Sequence, residues 1–64
     1  MVNKLREIRK RKGMTQEALS KAATINRVNI ATYETGVSSP TLKSAEKLAA
    51  ALGVTVDELI GKAG

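Results

Sequence analysis

The stretch from residue 15 to residue 36, TQEALSKAATINRVNIATYETG, constrains the fold most because it contains the start signals of two short helices. Thr15 and Asn26 each precede a helical pattern, and the oxygen of such a short polar side chain can accept a hydrogen bond from a free backbone N–H. Each start is flanked by two apolar residues with the spacing of a hydrophobic staple, Met14 with Leu19 and Ile25 with Ile30. Helices over 15–23 and 26–34 are therefore predicted to pack on each other across a tight turn, as in a helix-turn-helix motif.

The second of these helices has an unusual outer face. Helical spacing predicts an inward face for each helix. In the first helix this face comprises Leu19, Ala22 and Ala23, and in the second it comprises Ile30, Tyr33 and Glu34. The outer face of the second helix then carries Val28, Ala31, Thr32 and Thr35, with Arg27 at its start and Asn29 beside it. This face is small and uncharged, whereas a surface kept only for solubility would carry more Lys and Glu. It suits close approach to another surface, and an ordinary surface helix is the alternative.

Residues before and after this stretch predict three further helices, so the fold class is all-α. The first helix covers residues 2–12, with Asn3 as its cap, Leu5 and Ile8 as its apolar stripe and Gly13 as its end. The last is a turn or two long and begins with a complete capping box, Thr55 with Glu58. With 64 residues, the chain is expected to form one domain.

The fourth helix follows Pro40, which bars helix just before it. Thr41 or Ser39 can cap this helix, and Gly53 ends it. Its core stripe is predicted to comprise Leu42, Ala45, Leu48, Ala49 and Leu52.

Composition narrows the function classes. The chain has no cysteine and no histidine, so the usual metal ligands and general bases are missing. We therefore expect no metal, no cofactor, no small-molecule substrate and no enzymatic activity. No apolar run approaches the roughly 20 residues of a membrane span. The N-terminus lacks the apolar segment of a signal peptide, so a cytoplasmic location is expected.

Positive charge is concentrated at one end of the chain. The net charge is +5, and residues 1–12 alone hold six basic residues against Glu7, while the remainder balances to zero. Such a basic segment attracts polyanions without regard to sequence, and nucleic acid is the obvious partner. A solvated amphipathic face is the alternative. Arg9 needs separate explanation, because it lies on the inward side with Leu5 and requires a buried partner or a route to solvent.

Four segments together resemble the phage-repressor/Cro-like helix-turn-helix family, also called the XRE family, of bacterial and phage transcription regulators. They are LREIRKRKGMTQEAL, TINRVNIATYETG, SSPTL and AEKLAAALGVTVDELI, and they span most of the chain. The resemblance implies a compact five-helix bundle of the lambda-repressor-like type over residues 1–64, with the helix-turn-helix at 15–36. It also implies sequence-specific binding of double-stranded DNA by a transcriptional regulator, with the third helix in the major groove.

The resemblance assigns roles to matching positions. The residues expected to face base edges are Arg27, Val28 and Thr32, the Thr32 hydroxyl being free to bond either way. The residues expected to contact phosphates are Gln16, Asn29 and Thr35, with Lys43 and the backbone N–H groups of residues 37–39 as lesser candidates. Gln16 is also expected to brace the third helix. Arg9 and Glu34 match a structural salt bridge that joins the first helix to the third.

The chain departs from the family pattern in two ways. Thr24 stands at a turn position usually taken by glycine, and a β-branched residue in the left-handed conformation costs about 1–2 kcal/mol. We therefore expect the turn to be locally adjusted. Val28 and Ala31 replace polar residues, so specificity should depend on methyl contacts and DNA shape.

Two questions of assembly follow from the resemblance. A homodimer is expected, at least on DNA, because two-fold operators pair with dimers. Its contacts would come from the fifth helix and its surroundings, with Val56, Leu59 and Ile60 as the candidates, unless these residues belong to the core. The alternative function is a protein-interaction module, antitoxin-like or a co-regulator, in which DNA contact is secondary.

Overall fold

The structure, a computed structural model, describes residues 4–60, and all regular secondary structure in that range is helical. The five helices are α1 (Leu5–Arg11), α2 (Gln16–Ala23), α3 (Arg27–Thr35), α4 (Leu42–Leu52) and α5 (Val56–Leu59). The predicted all-α class is thereby confirmed. The predicted first helix, residues 2–12, is shorter in the structure. Lys4 is the N-cap of α1 and makes no capping hydrogen bond through its side chain, so the prediction that Asn3 caps this helix was wrong, and Lys12 is the C-cap. Val2 and Asn3 themselves lie outside the described residues. Between residues 4 and 60, no helix is both long and apolar enough to cross a bilayer.

The predicted caps account for the helix starts. The side chains of Thr15, Asn26 and Thr41 accept hydrogen bonds from backbone N–H groups in the first turns of α2, α3 and α4. Thr55 and Glu58 form the complete capping box that the sequence predicts for α5. Each cap satisfies donors that the helix itself leaves without partners, so these short helices begin where the sequence places them.

The core lies between α2, α3 and α4, with α1 and α5 closing it. α2 packs on α3 and α4, α4 packs on α5, and α1 packs on α3. A backbone hydrogen bond of 3.0 Å from Lys4 N–H to the Leu59 carbonyl joins the start of α1 to the end of α5. The buried apolar residues are Leu5, Ile8, Leu19, Ala23, Ile30, Ala45, Leu48, Ala49, Leu52 and Leu59.

Two residues predicted to face the core are exposed. Leu42 is 70% exposed. It is the first residue of α4, and a helical side chain covers the turn before its own Cα, so Leu42 points beyond the end of the helix. Ala22 is also exposed, beside an open groove between α2 and α4. The buried side of α2 follows Leu19 and Ala23, which are four residues apart, and Ala22 falls just outside that narrow stripe.

The turn between α2 and α3 keeps the left-handed conformation, contrary to our expectation of a local adjustment. Thr24 has φ 55° and ψ 49°, and among residues 4–60 it is the one non-glycine residue with positive φ. The Ser20 carbonyl accepts hydrogen bonds from the backbone N–H groups of Thr24 and Ile25, and the Ser20 hydroxyl donates to the Ile25 carbonyl. These bonds close the turn around Thr24 and outweigh the unfavourable backbone conformation.

Replacing Thr24 by glycine should stabilise the protein. The substitution removes a strain of about 1–2 kcal/mol, and the extra freedom of glycine in the unfolded chain offsets about 0.4–1 kcal/mol of that gain. We expect the free energy of unfolding in urea to rise by up to about 1 kcal/mol, which raises Tm by several degrees in a domain of this size.

The matched control is Ala22→Gly, two residues earlier on the exposed side of α2. It should lower the free energy of unfolding by about 0.5–1 kcal/mol, because glycine is unfavourable inside a helix. A loss of stability in Thr24→Gly would contradict the strain assigned to this turn.

Candidate nucleic-acid interface

The outer face of α3 forms a small uncharged ridge. We call Val28, Ala31, Thr32 and Thr35 the α3 ridge. Val28 is 65% exposed, Thr35 is exposed, and Ala31 and Thr32 are partly buried. No ridge side chain is charged or longer than valine, so a broad surface can approach the helix closely. The ridge is the outer face that the sequence predicts.

Three polar side chains around the ridge are uncommitted. Arg27 at the start of α3, Asn29 beside the ridge and Lys43 in the first turn of α4 are all exposed. None of them makes a side-chain hydrogen bond or ion pair with any residue between 4 and 60. Their donors are therefore free for a ligand, as the roles expected of them require.

The hydroxyls of the ridge are committed to the protein itself. Thr32 Oγ1 donates to the Asn29 carbonyl at 2.8 Å and lies 2.8 Å from Ser38 Oγ. Thr35 Oγ1 donates to the Thr32 carbonyl at 3.2 Å. A hydroxyl has one proton, so in this arrangement the Thr32 hydroxyl can donate to a base only after it leaves the Asn29 carbonyl. Thr35 must rotate its hydroxyl before it can donate to a phosphate.

The loop after α3 is likewise tied to the ridge. Ser38 N–H donates to the Thr32 carbonyl at 3.3 Å. That amide was one of the lesser phosphate candidates, and it is used inside the protein. The sequence did not predict that Ser38 contacts Thr32. The two residues are six positions apart across the end of α3, and no helical periodicity extends over that separation.

Glu34 joins three helices beneath the ridge. Its carboxylate accepts from Arg9 Nε at 2.6 Å, from Arg9 Nη2 at 3.1 Å and from Gln16 Nε2 at 3.0 Å. Arg9 also donates through Nη1 to the Met14 carbonyl at 2.8 Å. The structure thus brings together the pair that the sequence analysis expects, and it places Gln16 of α2 against the same carboxylate. The Glu34 side chain is 3% exposed and the Arg9 side chain 10%.

The surroundings of Glu34 favour its ionised form. Burial by itself raises the pKa of Glu34, but hydrogen bonds from Arg9 and Gln16 lower it, as do the charges of Arg9 and Arg6. The net result is a pKa below the ordinary value for glutamate. Glu34 therefore stays charged at neutral pH and holds both of its donors.

Arg6 is a second residue that sequence reasoning missed. It lines one cleft with Gln16, Ala31 and Thr35, above the pair of Arg9 and Glu34. Arg6 precedes Arg9 by three residues, so the two share a face of α1, and this spacing was the available signal. Part of the basic α1 surface thus borders the α3 ridge. Among the described residues, no three acidic side chains converge to hold a metal ion.

A short helix that carries an uncharged ridge, braced by the helix before it, defines a helix-turn-helix domain. The model of the Helix-turn-helix family matches residues 5–59, and the chain belongs to this family, in its Cro/C1 or XRE type. It is accordingly a DNA-binding transcription regulator by class. The family prediction made from the sequence is confirmed.

Individual relatives agree with this class. An alignment 36% identical over 59 residues pairs 92% of this chain with 84% of an uncharacterized HTH-type transcriptional regulator of Archaeoglobus fulgidus. The crystal structure of the restriction-modification controller protein C.AhdI from Aeromonas hydrophila is similar at a TM-score of 0.83 and 34% identity, over 86% of this chain and 83% of that one. The hypothetical transcription factor NHTF from Neisseria is similar at a TM-score of 0.81 and 34% identity, over 88% of this chain and 64% of that one.

The pair of Arg9 and Glu34 predicts a specific pH dependence of stability. A carboxylate whose pKa is lowered by folding contributes stability at a pH above its unfolded pKa, roughly 4.3 for glutamate. That contribution is lost as the pH falls below this value and through the folded pKa. We expect the stability difference between the wild type and Glu34→Gln, measured by urea unfolding, to be largest above pH 5.5 and to shrink steadily toward pH 3.

The control is Glu7→Gln, which removes a pair with Arg11 whose side chains are 61% and 64% exposed. Because water screens such a pair, this variant should differ from the wild type by less than about 1 kcal/mol. A Glu34→Gln curve parallel to the wild type at all pH values would contradict the ionised state assigned to Glu34.

Proposed function

We propose that this chain is a non-catalytic regulator that binds particular sites on double-stranded DNA with α3 in the major groove. The observation that carries the proposal is the α3 ridge, exposed and uncharged, with the uncommitted guanidinium of Arg27 at its start. An α-helix fits the major groove, and a guanidinium there can donate two bonds to guanine O6 and N7. Val28 and Thr32 supply methyl groups for contact with thymine.

Phosphate contacts would hold the ridge in register. Gln16 uses one Nε2 proton for Glu34, which leaves the second for a phosphate oxygen. It is also the first residue of α2, where free N–H groups favour an anion. Asn29 and Lys43 are exposed and uncommitted on either side. These contacts position the protein, and they carry no sequence information of their own.

The charge of α1 supports the same partner. Within α1, Arg11 pairs with Glu7 at 3.0 Å, and both side chains are exposed. Arg6 and Lys10 are exposed on the same short helix and form no ion pair with any residue between 4 and 60, and Arg6 borders the ridge. Such a field attracts duplex DNA of any sequence and speeds its capture. The alternative of a protein-interaction module is not favoured by the regulators that the chain resembles.

The regulator is proposed to act as a homodimer on DNA, in the cytoplasm of a prokaryotic cell. Leu59 is 2% exposed and belongs to the core, so it is removed from the candidates for the dimer contact. Val56 also packs against the core, and Ile60 is partly buried. Of the three residues named for the dimer contact, Val56 and Ile60 therefore keep some exposed surface.

Selection of bound sequences from random duplexes tests the function directly. We expect one preferred half-site that recurs in two-fold symmetry, with centres about one helical turn or roughly 34 Å apart. Sedimentation of the complex should then give two chains per duplex. Recovery of unrelated sequences at moderate salt would contradict specific binding, and a single isolated half-site would contradict the dimer.

Substitutions at Arg27 and Gln16 should separate base reading from phosphate anchoring. We expect Arg27→Ala to weaken binding to the preferred site by about 1–3 kcal/mol and to leave binding to an unrelated duplex nearly intact. Gln16→Ala should weaken both by a similar factor, because phosphates are present on every sequence. Titration of each variant against both duplexes measures the two effects.

Lys47→Ala is the matched control for charge. Lys47 lies beside Ala22 and Thr24, at the opposite end of α2 from Gln16. Removing this charge should change both affinities little. Equal losses on both duplexes in Arg27→Ala would rule out base reading by Arg27. Since Gln16 also bonds Glu34, the Tm of its variant must be measured to exclude misfolding as the cause.

A further inference from the structure

The direction of the hydrogen bonds around Thr32 is fixed by chemistry. The Asn29 carbonyl can only accept, so Thr32 Oγ1 is the donor in their 2.8 Å bond. Thr32 has no second hydroxyl proton, and therefore Ser38 Oγ donates in the 2.8 Å contact between the two hydroxyls. Ser38 N–H also donates to the Thr32 carbonyl at 3.3 Å. Ser38 thus holds Thr32 through both its side chain and its backbone.

This arrangement limits what Thr32 can offer to a base. In the major groove, guanine O6 and N7, adenine N7 and thymine O4 all need a donor. In this arrangement Thr32 has no donor to offer, because its single proton is on the Asn29 carbonyl. Its oxygen accepts from Ser38 and keeps one lone pair, which only the amino groups of adenine and cytosine could use, whereas its methyl can meet a base without losing any hydrogen bond. Val28 lies four residues earlier on the same ridge and is 65% exposed, so two methyl-bearing side chains are adjacent.

We propose that Ser38 is a positioning residue that holds Thr32 in the conformation where its methyl, and not its hydroxyl proton, meets the DNA. The α3 ridge then recognises the C5-methyl group of a pyrimidine. Thymine carries this group, and 5-methylcytosine presents the same group in the same groove. The inference rests on the proposed function, because it needs α3 in the major groove.

Replacement of thymine by deoxyuridine tests the inference, because it removes the methyl and nothing else. In the preferred duplex obtained by selection, each thymine of a half-site is replaced in turn and the Kd is measured. We expect at least one position where the Kd rises roughly fourfold, as for one buried methyl. At that position, 5-methylcytosine paired with guanine should bind more tightly than cytosine paired with guanine.

Three protein variants assign the effect to Thr32 and to Ser38. Thr32→Ser keeps the hydroxyl and removes the methyl, so the deoxyuridine penalty at one position should disappear. Thr32→Val keeps the methyl and removes the hydroxyl, so the penalty should remain. Ser38→Ala releases the Thr32 side chain and should reduce the penalty at that same position. The Tm of each variant shows whether it is folded.

The outcomes separate this inference from the proposed function. If no duplex is preferred, the proposed function is wrong and the inference falls with it. If a duplex is preferred but no thymine is sensitive to deoxyuridine, the inference alone is overturned. A penalty that persists in Thr32→Ser, or that disappears in Thr32→Val, also overturns it. A penalty unchanged in Ser38→Ala removes the positioning role of Ser38.

Discussion

The Glu34 carboxylate is the contact on which the orientation of α3 depends. It accepts from Arg9 of α1 and from Gln16 of α2, while Arg9 also holds the Met14 carbonyl before α2. All of these donors converge on one face of a nine-residue helix. Removing two charges from water is costly, and an apolar replacement of a buried pair is often at least as stable. The hydrogen bonds to Glu34 are directional, so they fix how α3 faces α1 and α2, whatever the net contribution of the pair to stability.

That direction matters for the proposed function. The α3 ridge lies on the outer side of the helix that Glu34 holds, so rotation of α3 would move the ridge relative to α2. Under the proposed function, Gln16 has two tasks, to brace Glu34 and to hold a phosphate. Its amide braces Glu34, and its remaining proton is available for the sugar-phosphate backbone. A contact between Gln16 and a phosphate would therefore report directly on the position of α3, with few flexible bonds between them.

The sequence predicts the parts of the structure that depend on local chemistry. The caps at Thr15, Asn26, Thr41 and Thr55 depend on bonds to residues two or three positions away, and all four are confirmed. The prediction that Leu42 faces the core was wrong, because periodicity does not show where a helix extends past its neighbours. The prediction that the turn at Thr24 leaves the left-handed conformation was also wrong. It considered only the conformational preference of threonine and not the hydrogen bonds of Ser20 that close the turn. The commitment of the Thr32 hydroxyl depends on the path of a loop, which no spacing in the sequence predicts.

The excess of basic residues lies in and around α1, and the uncharged ridge lies on α3. Under the proposed function, this division lets one small domain bind DNA of any sequence and still discriminate among sites. The excess positive charge of the chain lies within residues 1–12, while the α3 ridge has no charge beyond Arg27 at its start. Attraction to phosphates is long-ranged and independent of sequence, so it belongs on a surface that need not fit the bases. Discrimination requires close contact with base edges, where an unpaired charge would be costly. A ridge of methyl groups contributes little to binding until it meets a matching surface. In the proposed function, affinity for a particular site can then change through residues of α3 without loss of the general affinity that the basic residues of α1 would supply.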